Sequence, residues 1–121
     1  MAAGGGSVAK KKLPGPIERR HLIERELSTA QALRYAEAYL EEGLEVDAVA
    51  FLVKAEATDQ LDALRVRSIE AGDGFLLRAV ALATGNPPKP EEWKALAEAA
   101  ERAGKERYAA EALRHAERGE S

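Results

Sequence analysis

Apolar residues recur every three or four positions along most of this chain, the spacing that places side chains on one face of an α-helix. No segment alternates apolar and polar positions in the manner of a half-buried strand. The sequence therefore predicts an all-helical fold, with a short leading helix over residues 17–27. Six further helices are predicted over 28–42, 44–57, 58–71, 75–84, 90–103 and 105–118.

Local signals predict several of these helix ends. Ser28 followed by Gln31 forms a capping-box pattern, and Asp73 can cap a later helix. Pro90 suits a first helical turn, where its missing N–H costs no hydrogen bond. Turn glycines such as Gly43 can adopt the left-handed conformation that ends a helix. The six helices are therefore expected to pair into three hairpins.

The helices differ in how much apolar surface they carry. Those over 44–57 and 75–84 are apolar on nearly all sides, so two faces of each are expected to be covered. The helix over 105–118 has charged residues around a single apolar stripe. This pattern predicts sandwiched inner helices and a last helix that caps one end.

An internal repeat appears when Gly43 and Gly104 are superimposed. Small or large apolar residues then recur at the same spacing on both sides of the turn, as expected where paired helices approach closely. The matched positions are Ala32, Tyr35, Ala36, Tyr39, Gly43, Ala48, Leu52 and Ala55 in the first copy and Trp93, Leu96, Ala97, Ala100, Gly104, Ala109, Leu113 and Ala116 in the last.

This pattern resembles the tetratricopeptide repeat (TPR), and the resemblance covers residues 28–117. It departs from that family at Ala32 and Ala100, where the family has aromatic residues, and in a middle unit with Arg65, Leu77 and Thr84 at positions expected to be small. The turn glycines also lie closer together than the family's repeat of about 34 residues. The resemblance implies a TPR-like α-solenoid, a right-handed stack of three antiparallel helical hairpins over residues 28–119.

In such a stack the first helix of each pair lines a concave groove. The exposed groove positions implied here are Leu33, Glu37, Glu41, Asp62, Val66, Glu70, Lys94, Glu98 and Glu101. Acidic residues predominate, and Lys94 alone has the chemistry with which some family members hold a peptide carboxylate. The resemblance therefore implies a basic or amphipathic partner segment.

Charge is distributed unevenly along the chain. Residues 1–20 carry five basic residues against one acidic residue, whereas the whole chain has a net charge of −3. Residues 1–16, with Lys10, Lys11 and Lys12, are predicted to form a disordered basic tail. Three roles are considered for it: a solvated tail, a competitor for the acidic groove, or a nucleic-acid-binding arm.

Candidate chemistry is sparse. His21 and His115 are isolated and are predicted to lie on the surface, so no metal, cofactor or catalytic residue is predicted, and an enzyme is the least favoured class. With no cysteine and no signal peptide, a soluble cytoplasmic protein is expected, without a membrane partner. The predicted function is a protein–protein interaction module: an adaptor, scaffold or regulatory subunit. The alternatives are nucleic-acid association and a self-associating structural subunit.

Overall fold

The computed structural model describes residues 13–118, which form seven α-helices and no strand. The helices belong to two compact units, one formed by residues up to 58 and the other by residues from 59 onward. The helices are α1 Pro16–Glu24, α2 Thr29–Glu41, α3 Glu45–Lys54, α4 Thr58–Glu70, α5 Gly74–Thr84, α6 Pro90–Arg102 and α7 Glu106–Glu117. The predicted all-helical class is confirmed for the described residues.

In the first unit, α2 and α3 form a helical hairpin whose ends follow the local signals. The Ser28 hydroxyl accepts a hydrogen bond from the Gln31 backbone N–H at 3.1 Å, and the Gln31 side chain accepts one from the Ser28 N–H at 3.1 Å. This is the predicted capping box. Gly43 has a φ of 75°, the left-handed conformation predicted for the turn.

Small residues and stacked rings pack the two helices of this hairpin together. Three alanines at positions matched in the repeat are fully buried: Ala32, Ala36 and Ala48. The ring of Phe51 lies 5.3 Å from that of Tyr35 and 5.6 Å from that of Tyr39, and both pairs are stacked. The alanines permit a close helix–helix approach and the aromatic rings fill the remaining space.

Helix α1 is attached to the hairpin through Arg19. Its guanidinium donates a 2.8 Å hydrogen bond to the backbone carbonyl of Asp47 and lies 5.8 Å from the ring centres of both Tyr39 and Phe51. The Tyr39 hydroxyl donates to the Pro14 carbonyl at 3.3 Å. Burial raises the pKa of Tyr39, and the nearby Arg19 charge partly offsets that rise. The segment before α2 is therefore part of this unit.

Two helices end earlier than predicted. Helix α1 stops at Glu24, three residues short, because Arg25 takes an extended conformation and its carbonyl accepts a 2.9 Å hydrogen bond from the Lys54 ammonium. Helix α3 stops at Lys54, because Glu56 has a φ of 55° that does not continue a right-handed helix. Both deviations depend on contacts or strain that the hydrophobic periodicity does not encode.

In the second unit, α4–α5 and α6–α7 surround one apolar core. The Asp73 carboxylate accepts from the Leu76 N–H at 3.0 Å, so it caps α5 as predicted, and α6 begins at Pro90. One cluster of this core comes mainly from α6 and α7, with Leu77 from α5: Leu77, Trp93, Leu96, Ala97, Ala100, Ala109, Ala112 and Ala116. All four alanines matched in the last copy of the repeat therefore face the core.

Gly72 brings the turn between α4 and α5 against α6. A Cβ atom at this position would lie 2.7 Å from the Cα of Ala100 and 2.9 Å from its Cβ. Gly72 also has a φ of 68°, so the site requires both a left-handed conformation and the absence of a side chain. Gly104, with a φ of 78°, has no atom within 4 Å of a Cβ built there.

Arg65 links α4 to α6 and to the loop before it. Its guanidinium donates two 2.9 Å hydrogen bonds to the Glu92 carboxylate and further bonds to the carbonyls of Asn86 at 2.8 Å and Pro87 at 3.2 Å. The two side chains are only 12% and 25% exposed. The hydrogen bond from Arg65 lowers the pKa of Glu92. Arg65, which lies at a position where the repeat pattern expects a small residue, thus has a structural role in this unit.

We expect Gly72→Ala to destabilise the protein far more than Gly104→Ala. Both substitutions place an alanine in a left-handed conformation, which costs about 1 kcal/mol. Gly72→Ala also forces a methyl group against the backbone of α6, so its total cost is about 3 kcal/mol. Urea unfolding of the two variants and the wild type measures the difference. Equal losses would show that the close approach at Gly72 contributes nothing.

We expect Glu92→Gln to lower the free energy of unfolding by about 2 kcal/mol near neutral pH, because it removes a bidentate, charge-assisted hydrogen bond. The pKa of Glu92 in the folded protein lies below its ordinary value. The ion pair therefore contributes fully to stability at pH values above the ordinary pKa, and this contribution is lost as the pH falls through the lowered pKa. Unfolding measured at about pH 7 and about pH 3 should show the difference between variant and wild type shrinking in acid.

The neighbouring Glu91→Gln is the control for this pair, since Glu91 is exposed in the same first turn of α6. It should change stability by less than about 0.5 kcal/mol. A Glu92→Gln deficit of the same size at both pH values would contradict the assignment of the lowered pKa to this ion pair.

Candidate functional site

The nine predicted groove residues lie on α2, α4 and α6, the first helices of the three predicted hairpins. On each helix they have the spacing of a single face, three or four residues apart. Eight are exposed and Leu33 is half-buried. In the first unit, α2 carries Leu33, Glu37 and Glu41; in the second unit, α4 carries Asp62, Val66 and Glu70, and α6 carries Lys94, Glu98 and Glu101. The ion pair between Arg65 and Glu92 holds α4 next to α6, so the last two sets belong to adjacent helices.

Residues 1–12 of the predicted basic tail lie outside the described residues, whereas Pro16, its last residue, begins α1. Lys10, Lys11 and Lys12 precede residue 13, where the description begins. Their role as a competitor for the groove or as a nucleic-acid-binding arm stays a prediction.

The second unit contains a cleft of about 860 Å³ that none of the nine groove residues lines. We call it the α5–α7 cleft, because those helices supply most of its lining. Buried Trp93 and Leu96 of α6 form its base, and residues of the loop after α5 complete it. The lining residues are Gly74, Phe75, Arg78, Ala79, Ala81, Leu82, Gly85, Pro87, Pro88, Trp93, Leu96, Tyr108, Glu111, Ala112 and His115.

Three large apolar side chains of this cleft stand largely in water. Phe75 is 75% exposed, Leu82 86% and Tyr108 58%. The expectation that α5 is covered on two faces is therefore wrong for Phe75 and Leu82, whereas Leu76 and Leu77 on the same helix are buried. Leaving such side chains in water forgoes about 1.5 to 3 kcal/mol for each, so this surface is energetically suited to be covered by a ligand.

The polar groups of the cleft are few and differ in charge. Arg78 on α5 and Glu111 on α7 are both exposed. His115 is 8% exposed, and its ring is stacked on that of Trp93 with centroids 4.5 Å apart. The prediction of a surface histidine is confirmed for His21 and wrong for His115. The reason is that His115 lies beside Ala112 and Ala116 on the apolar stripe of α7, which faces the single tryptophan.

Each wall of the cleft follows a helical spacing that is visible in the sequence. Phe75, Arg78 and Leu82 lie at i, i+3 and i+7 on α5, while Tyr108, Glu111 and His115 have the same spacing on α7. This spacing could have indicated two related faces. It could not have shown that they line one cleft, because that depends on how the hairpins pack.

Within residues 13–118, no group of three or more histidine, aspartate and glutamate side chains is arranged to hold a metal ion. Over the same residues, none of the helices combines the length and the apolar character needed to cross a bilayer. The lining of the cleft is apolar apart from one exposed arginine, one exposed glutamate and the buried His115. This set favours binding of an apolar surface with charged groups at its margin.

In comparisons with known proteins, no family model matches this chain, and neither a curated protein nor a solved structure matches it. The resemblance to the tetratricopeptide repeat therefore stays a hypothesis that rests on the repeat itself.

Proposed function

We propose that this chain is a TPR-like protein–protein interaction module that acts as an adaptor, scaffold or regulatory subunit. The observation that carries the proposal is the exposure of Phe75, Leu82 and Tyr108 around the α5–α7 cleft. Exposed apolar side chains gathered around a recess are typical of protein-binding surfaces, where aromatic residues supply much of the binding energy.

The form of the cleft favours a protein segment over a small molecule. Its volume of about 860 Å³ lies within the range of small-molecule pockets, but such pockets enclose most of their ligand. Phe75 and Leu82 project into solvent instead, and a small ligand at the base would leave much of their surface in water. A helix or extended segment laid across the cleft would cover the exposed side chains and the base together.

The acidic face of α4 and α6 is a second candidate contact surface for the same function. Asp62, Glu70, Glu98 and Glu101 are exposed there, with Lys94 as a basic neighbour. This arrangement supports the predicted preference for a basic or amphipathic partner, whose charges would raise the association rate and fix its orientation.

A peptide-display selection on the full chain, followed by affinity measurements on variants, tests the proposal. Peptides that occupy the cleft should bind Phe75→Ser and Tyr108→Ser at least about tenfold more weakly, because each change removes an aromatic contact. Ile17→Ser is the matched control, since Ile17 is an exposed apolar residue of α1 that lines neither the cleft nor the acidic face. Thermal unfolding of every variant should stay close to that of the wild type, because the changed side chains are exposed.

Glu98→Lys and Glu101→Lys distinguish the two surfaces. Loss of affinity in these reversals alone would place the contact on the acidic face instead of the cleft. Selected peptides that bind the wild type and all five variants equally would contradict the interaction-module proposal. A selection that yields no binder would contradict it as well.

A further inference from the structure

The α5–α7 cleft carries two opposite charges on two different helices. Arg78 belongs to α5 and Glu111 to α7, and both line the cleft. Neither Arg78 nor Glu111 belongs to the ion pairs described within residues 13–118, such as Arg20–Glu24 and Arg65–Glu92. A partner that presents an anion to α5 and a cation to α7 is therefore complementary in charge to this cleft.

We infer that this partner is a second copy of the chain, an inference that rests on the cleft being the binding site proposed above. In a dimer with two-fold symmetry the same patch of both copies meets itself. A two-fold axis that runs between α5 and α7, along the helices, places each α5 opposite the α7 of the other copy. Arg78 then faces the Glu111 carboxylate of the second copy, and the same contact occurs twice. The opposite charges on the two walls make the cleft self-complementary in charge.

The distribution of apolar groups is self-complementary as well. Phe75, Leu82 and Tyr108 project from the margin, while Trp93 and Leu96 lie at the base of a recess in the same patch. Projecting side chains of one copy can thus enter the recess of the other. The exposed apolar side chains together offer roughly 500 Å². That is more than half of the about 800 Å² that each partner buries in an interface of standard size.

The size of the patch also sets the expected strength of the dimer. An interface at the lower end of the standard range gives a reversible association that depends on protein concentration. Sedimentation velocity of the full chain from about 1 µM to about 500 µM should therefore show a shift from monomer to dimer. Phe75→Ser should move this shift to higher concentration.

Charge-reversal variants test the arrangement of the two copies. Arg78→Glu and Glu111→Arg should each weaken the dimer at least about tenfold, because each creates two like-charge contacts by symmetry. An equimolar mixture of the two variants should recover the wild-type affinity, since the mixed dimer restores both opposite-charge contacts. Arg34→Glu is the control, because Arg34 is an exposed arginine of α2 that does not line the cleft.

A wild-type chain that remains monomeric throughout would overturn the second-copy inference. The proposed function would survive that result if cleft-dependent peptides bind the monomer, so the two failures are distinguishable. A dimer unaffected by Phe75→Ser and by both reversals would place self-association elsewhere and also overturn the inference. Failure of the two reversed variants to rescue each other in the mixture would contradict the two-fold contact between Arg78 and Glu111.

Discussion

Gly72 lies so close to Ala100 that the backbone of α6 leaves no room for a methyl group between them. This approach fixes where the chain turns from α4 into α5 relative to α6. The Lys105 ammonium donates to the Ala71 carbonyl at 3.3 Å and ties the beginning of α7 to the same turn. The direction of α5 follows from this turn, and with it the position of one wall of the cleft. Gly74 continues the contact, because a Cβ there would meet the Trp93 ring at 3.4 Å.

The features that the sequence predicts well are those whose determinants lie within a few residues of each other. The capping box at Ser28 and Gln31, the Asp73 cap and the left-handed Gly43 and Gly104 all act within one helical turn. The early end of α1 escapes such reasoning because it depends on the side chain of Lys54, which is distant in sequence. Arg65 escapes it for the same reason, since its partner Glu92 lies 27 positions away.

The candidate site is less predictable than the fold because exposure is a property of packing between hairpins. The composition of α5 is almost uniformly apolar and does not separate the buried Leu76 and Leu77 from the exposed Phe75 and Leu82. Periodicity alone likewise does not reveal that His115 lies against Trp93. The groove implied by the tetratricopeptide resemblance stays a prediction, and the α5–α7 cleft adds a surface of different chemistry.

The cleft and its binding capacity depend on one close approach, that of Gly72 to Ala100. Nuclear Overhauser spectroscopy of the assigned protein measures that approach directly. We expect strong cross-peaks between the α-protons of Gly72 and the α- and methyl protons of Ala100, because the two backbones are in van der Waals contact. Assigned Gly72 and Ala100 resonances with no cross-peak between them would contradict this close approach and the position of α5 that follows from it.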